Sequence, residues 1–85
     1  LSADNGDADG QYHYGLCLER GIGVEQNAVE AAKYYQLSAN QGHADAQYRY
    51  GVCLDQGIGV AEDKEEAANY YQLSADQKKA GAQSR

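Results

Sequence analysis

The amino-acid sequence predicts an all-α fold, an α-solenoid of antiparallel helix pairs with a 36-residue repeat. Three observations predict it. The chain repeats itself. Leu1-Ser2-Ala3 returns as Leu37-Ser38-Ala39 and Leu73-Ser74-Ala75, and Gly21-Ile22-Gly23-Val24 as Gly57-Ile58-Gly59-Val60. Residues 1–36 and 37–72 share 22 identities. A period of roughly 20–50 residues marks one supersecondary unit stacked on copies of itself. Within each period two stretches keep helical apolar spacing, and glycines and capping residues punctuate between them.

Residues 1–6 read as the end of a preceding repeat, closed by Gly6, with Asp7 placed to cap the first helix. That helix is predicted over 8–20, where Gly10, Tyr14, Gly15 and Leu18 share one face. Gly15 costs about 1 kcal/mol against Ala in a helix, and close approach of a neighbouring helix explains it. Gly21-Ile22-Gly23-Val24 is a loop whose glycines are free to take positive φ and whose two apolar residues tuck beneath it. Asn27-x-x-Glu30 then has the form of a capping box and opens a second helix over 27–41, ended by Gly42. The next copy repeats this order. His43 caps a helix over 44–56, with Ala46, Tyr50, Gly51 and Leu54 on one face. Asp63-x-x-Glu66 opens another over 63–77, with Ala67, Tyr70, Tyr71, Ser74 and Ala75 on its apolar face. Ala80-Gly81-Ala82-Gln83 echoes Ala44-Asp45-Ala46-Gln47 and starts a further first helix. The repeats are therefore 7–42 and 43–78, with 1–6 and 79–85 as fragments of neighbours. The chain reads as a segment of a longer array.

The composition narrows the function. Eighty-five residues make one small, marginally stable unit, and the aromatic residues are all Tyr. No apolar run approaches the roughly 20 residues of a membrane span. Residues 1–77 carry thirteen acidic side chains against Arg20, Lys33, Arg49 and Lys64, a balance of −9, before Lys78, Lys79 and Arg85 reduce it to −6. A body this acidic repels phosphate backbones, which argues against nucleic acid and anionic membrane and for a cationic partner. Cys17 and Cys53 lie one period apart. Stacked helices about 8–10 Å apart hold such residues beyond the roughly 7 Å that a disulfide spans. They read as small buried thiols, which fits a reducing compartment such as the cytoplasm.

Two strings carry a family likeness: Ala44-x-Ala46-Gln47-Tyr48-x-x-Gly51-x-x-Leu54-x-x-Gly57-x-Gly59-Val60, and Ala31-Ala32-x-Tyr34-Tyr35-x-x-Ser38-Ala39-x-Gln41-Gly42. The pattern resembles the Sel-one-like repeat (SLR), a relative of the tetratricopeptide repeat, and covers essentially the whole chain. Tyr50 stands where that family usually has Leu, Leu54 where it often has Tyr, and Lys78 replaces the helix-ending Gly. The resemblance implies a right-handed superhelix of helix pairs that serves as a scaffold or adaptor for protein complexes.

In related solenoids the first helix of each pair lines the concave face. By that register the lining is Asp9, Tyr12, Leu16, Glu19 and Arg20, followed by Asp45, Tyr48, Val52, Asp55 and Gln56. Two tyrosines, two aliphatics and four carboxylates against one Arg form an acidic groove with an apolar floor. It suits a basic or mixed peptide, with the Tyr rings open to apolar or cation–π contact. The same stripe also reads as packing tyrosines beneath a solvated acidic surface.

Catalysis is not expected. His13 and Cys17 have the i, i+4 spacing of two metal ligands, but the second copy has Arg49 and Cys53 there, so a structural thiol beside a solvent-facing His is the better account. His43 reads as a helix-cap residue, the recurring Ser2, Ser38 and Ser74 as small packing residues, and Glu65-Glu66 as capping and surface charge. The Gly-x-Gly sequences lack the strand and third Gly of a dinucleotide site. No cofactor or metal is implied. The first function expected is a protein-binding scaffold segment. The alternatives are a structural array that self-associates through its end faces, and a non-catalytic accessory region of a larger enzyme.

Overall fold

The computed structural model describes residues 7–83, so the expectations for Ser2, Gly6 and the rest of 1–6 lie outside the described residues. Among these residues there are four helices and no strand: α1 (Ala8–Arg20), α2 (Ala28–Asn40), α3 (Ala44–Gln56) and α4 (Lys64–Gln83). They form an all-α solenoid of two helix pairs, α1 with α2 and α3 with α4, joined where α3 packs on α2.

Each helix begins where a polar side chain satisfies a free backbone N–H. The Asp7 carboxylate accepts from Asp9 at 3.3 Å, and Asn27 Oδ1 accepts from Glu30 at 3.1 Å. His43 Nδ1 accepts from Ala46 at 3.2 Å, and Asp63 Oδ1 from Glu66 at 3.1 Å. α1 and α3 end at Gly21 and Gly57, whose φ of 70° and 69° close the last turn from the left-handed region. The loops after them are only half tucked in. Val24 and Val60 pack against the core, whereas Ile22 is exposed.

Gly15 and Gly51 let the two helices of a pair touch. A Cβ on Gly15 would lie 2.8 Å from the Tyr35 ring, and one on Gly51 2.9 Å from the Tyr71 ring. Edge-to-face tyrosine pairs flank these contacts, Tyr14 with Tyr34 at 4.8 Å and Tyr50 with Tyr70 at 4.9 Å. Ser38 is fully buried and its hydroxyl donates to the Ala8 carbonyl at 2.6 Å, tying α2 to the start of α1. Leu18, Ala31, Ala32, Tyr35, Ala39, Ala46, Tyr50, Cys53, Leu54 and Ala67 make one continuous core across both pairs.

Two expectations are corrected. The sequence predicts that the last helix ends near residue 77 and that Ala80-Gly81-Ala82-Gln83 starts a further first helix. Instead α4 runs without a break to Gln83. Its counterpart α2 stops because Gly42 takes φ 93°, and position 78 holds Lys, which continues a helix readily. The two thiols also differ, Cys53 being buried and Cys17 only half-buried. α3 lies beside α2, and no described helix covers α1 in the same way.

Candidate functional site

The predicted groove residues lie along α1 and α3, and their environments divide them. Asp9 is exposed, and its Oδ1 lies 3.5 Å from Nε2 of His13 and 3.2 Å from Nε2 of His43. Tyr12 is half-buried, its ring stacked on His43 with centroids 4.8 Å apart. Leu16 and Val52 are half-buried, Leu16 against the core. Glu19 is half-buried and accepts the Tyr35 hydroxyl. Arg20 and Gln56, at the C-terminal ends of α1 and α3, are exposed. Asp45 is exposed, with the Lys78 ammonium 3.6 Å away. Tyr48 is 49% exposed, its ring 5.5 Å from Tyr71. Asp55 pairs with Lys64 at 2.9 Å and accepts from the Tyr71 hydroxyl at 3.5 Å.

Tyr12 and Asp9 are thus joined to the start of α3 through His43, whereas Tyr48 turns to its own partner helix. A cleft of about 350 Å³ opens there, lined by Tyr48, Tyr71, Ser74, Ala75 and Lys78. Its lining is mostly apolar, and Lys78, which forms part of it, lies 3.6 Å from the Asp45 carboxylate.

Two contributors were not among the predicted groove residues. His43 caps α3 as expected, but it also bridges Asp9 and Tyr12 across the repeat junction. Arg49 faces the Tyr12 hydroxyl, a contact that raises its pKa against the opposing effect of partial burial, and the Glu19 charge adds to the rise. A cation therefore sits inside the acidic stripe, and the centre of the face is closer to neutral than a count along α1 and α3 implies. The signal is present where the two repeats differ. His43 replaces Asp7 and Arg49 replaces His13 at positions where the flanking residues are largely unchanged.

The electrostatics behind this face are those of a packed interior. Burial pushes the Tyr35 hydroxyl well above its ordinary value, and donation to Glu19 adds to the effect. Burial likewise pushes the Cys53 thiol up to about 11, with the Glu19 charge adding and Arg49 opposing. Both groups stay neutral and protonated near neutral pH, as structural groups do. Among the described residues no three His, Cys, Asp or Glu side chains gather as a metal-ligand set, and no helix is long and apolar enough to cross a membrane.

Known proteins repeat this architecture. The Sel1 repeat profile matches residues 8–43 and 44–79. The chain is 33% identical to a Sel1 repeat protein from Oxalobacter formigenes, with a TM-score of 0.82 over 86% of this chain and 30% of that one. It is 34% identical to a protective antigen of uropathogenic Escherichia coli strains displaying an SLR fold, with a TM-score of 0.86 over 89% of this chain and 16% of that one. A 38-residue stretch, 45% of the chain, is 50% identical to the DAP3-binding cell death enhancer 1 of Rattus norvegicus. That stretch spans only 8% of the rat protein.

Proposed function

The chain belongs to the Sel1 repeat family, and from that premise we propose that it is a scaffold segment whose α1–α3 face holds a peptide of basic or mixed charge. Sel1 repeat proteins generally mediate protein–protein interaction and are typically non-catalytic scaffolds. The observation that carries the finer reading is Tyr48, half-exposed at a cleft of about 350 Å³ whose Lys78 lies 3.6 Å from Asp45. An apolar side chain of the ligand fills the cleft against Tyr48 and Tyr71, while its Lys or Arg reaches Asp45 and Asp9. The presence of Arg49 and Lys78 favours a mixed ligand over a uniformly basic one. The relative whose name records binding to another protein supports the class of function.

Fluorescence anisotropy with labelled peptides tests the reading, using a set in which each Lys/Arg-bearing peptide has a charge-reversed control. Tyr48→Ala removes a half-exposed ring whose ring partner is Tyr71 of its own repeat, so the fold survives. It should weaken binding by roughly tenfold, the scale of the apolar contact that the ring gives the ligand's side chain. Added salt should weaken it further. Charge-reversed peptides that bind equally well, or a Tyr48→Ala variant that binds as tightly as the parent, would overturn the groove assignment.

A further inference from the structure

The two repeats cap their first helices differently. At the same place in the repeat, α1 is capped by the Asp7 carboxylate and α3 by the His43 imidazole. Both nitrogens of that ring are engaged. Nδ1 accepts the Ala46 N–H at 3.2 Å, so it carries no hydrogen. The hydrogen of the neutral ring is therefore on Nε2, which lies 3.2 Å from Asp9 Oδ1 and donates to it across the repeat junction. The ring is held there, stacked on Tyr12 with centroids 4.8 Å apart and only 19% exposed. Ala46 has no exposed surface, so water does not reach its N–H while the ring keeps this place.

We propose that His43 is an acid-sensitive latch on the repeat junction, closed while its ring is neutral and opened when the ring is protonated. The proton enters on Nδ1 and turns the acceptor of the Ala46 N–H into a donor that faces it. The bond to Asp9 is made by Nε2 in either state. Protonation adds charge to that contact but no new bond, and Asp9 is 68% exposed, where solvent screens it. The new cation also stands at the positive end of α3, which disfavours it. The other charges nearby do not reverse this. Tyr12, Tyr35 behind it at 6.0 Å, and Arg49 are residue types that do not titrate near neutral pH. Asp45, two residues along α3, is paired with Lys78 of α4 at 3.6 Å. His13 shares Asp9 at 3.5 Å and titrates in the same range, so it needs its own control. The unfolded chain takes the proton freely, whereas the folded chain gives up a helix cap to take it. Stability is therefore complete above the imidazole range near pH 6.5 and falls below it. Because His43 also ties α1 to α3, its opening loosens the seat of α3 on α2.

NMR and urea unfolding test this on the chain and two variants. In neutral solution, long-range proton–nitrogen correlations of the His43 ring should show Nδ1 bare and Nε2 protonated. Between about pH 8 and 5 the folded-to-unfolded ratio of the parent should fall roughly fivefold, the scale of one lost helix cap. His43→Asn keeps a capping oxygen that takes up no proton there, and it should remove most of that fall. His13→Asn should leave the fall in place. A His43 ring carrying its hydrogen on Nδ1 in neutral solution overturns the proposal. So does a parent whose stability is level or rises on acidification, since the Asp9 charge would then outweigh the cap. A fall that persists in His43→Asn, or that His13→Asn removes, places the titration elsewhere and overturns it as well.

Discussion

Gly15 and Gly51 occupy equivalent places, yet replacing each by Ala should have different effects. Both new methyl groups would meet a tyrosine ring within 3 Å and a backbone carbonyl at 3.3 Å. Relief of the glycine penalty stabilises a helix by about 1 kcal/mol, and overpacking costs about 1–3. Tyr35, opposite Gly15, is 1% exposed and donates to Glu19, so it cannot yield. Tyr71, opposite Gly51, is half-buried and its hydroxyl bond is long. Gly15→Ala should therefore destabilise by about 1–2 kcal/mol and Gly51→Ala be close to neutral, as read from urea midpoints. The thiols give a second prediction at this scale. An unfolded cysteine ionises near pH 8.5, whereas the folded Cys53 thiol is pushed up to about 11. The folded-state value is raised for an acid, so stability is complete below about pH 8.5. It falls as pH rises toward 11, because the unfolded chain has released a proton that the folded chain keeps. Cys53→Ala should flatten this slope between about pH 8.5 and 11. In the native protein a thiol reagent should label half-buried Cys17 well before Cys53.

The helices test how far local sequence decides an element. α4 passes Lys78 without a break because nothing there asks for positive φ, whereas α2 stops at Gly42. Lys78→Gly should fray the end of α4, since Gly costs a helix interior about 1 kcal/mol and the contact to Asp45 goes with the side chain. Chemical shifts of Ala80 and Ala82 moving from helical toward random-coil values would check it, and unchanged shifts would mean that α4 is held by something beyond propensity. Helix starts are legible because Asp7, Asn27, His43 and Asp63 act through side chains two or three residues away from their targets. The spans of α1 and α3 follow from those caps and from Gly21 and Gly57. The end of α4 is harder to read, because the echo of Ala-x-Ala-Gln points to a new helix while the missing glycine points to a continuing one. The glycine decides. The surroundings of the proposed groove residues are only half legible. Asp9, Tyr12, Tyr48 and Asp55 follow from helical register. His43 and Arg49 reach that face through tertiary contacts spanning some 30 residues, which periodicity along one helix cannot supply.

At the scale of the described residues, stability depends on the junction between two similar pairs. In a repeat protein each unit contacts only its neighbours, so the coupling between units is as much a part of the stability as the units themselves. Here that coupling is the seating of α3 on α2, and Ala32 lies within it with no exposed surface, while Ala68 at the equivalent place on α4 is exposed. The same substitution at both positions isolates the junction, because helix propensity, residue type and register are held constant. Ala32→Glu forces a carboxylate into an apolar contact with no partner, which costs on the order of 3 kcal/mol or more when the site cannot open. A solvent-facing Ala68→Glu should stay within about 0.5 kcal/mol of the parent in dilute solution. The site can open, however, by α3 lifting from α2, and that release should be visible. Ala32→Glu should turn one urea transition into two shallower ones as the pairs α1–α2 and α3–α4 unfold separately, each losing the cooperativity that the shared core provides. If Ala32→Glu instead shifts one sharp transition with an unchanged slope, the two pairs fold as one unit whatever happens at their junction, and the one-dimensional description fails for this chain.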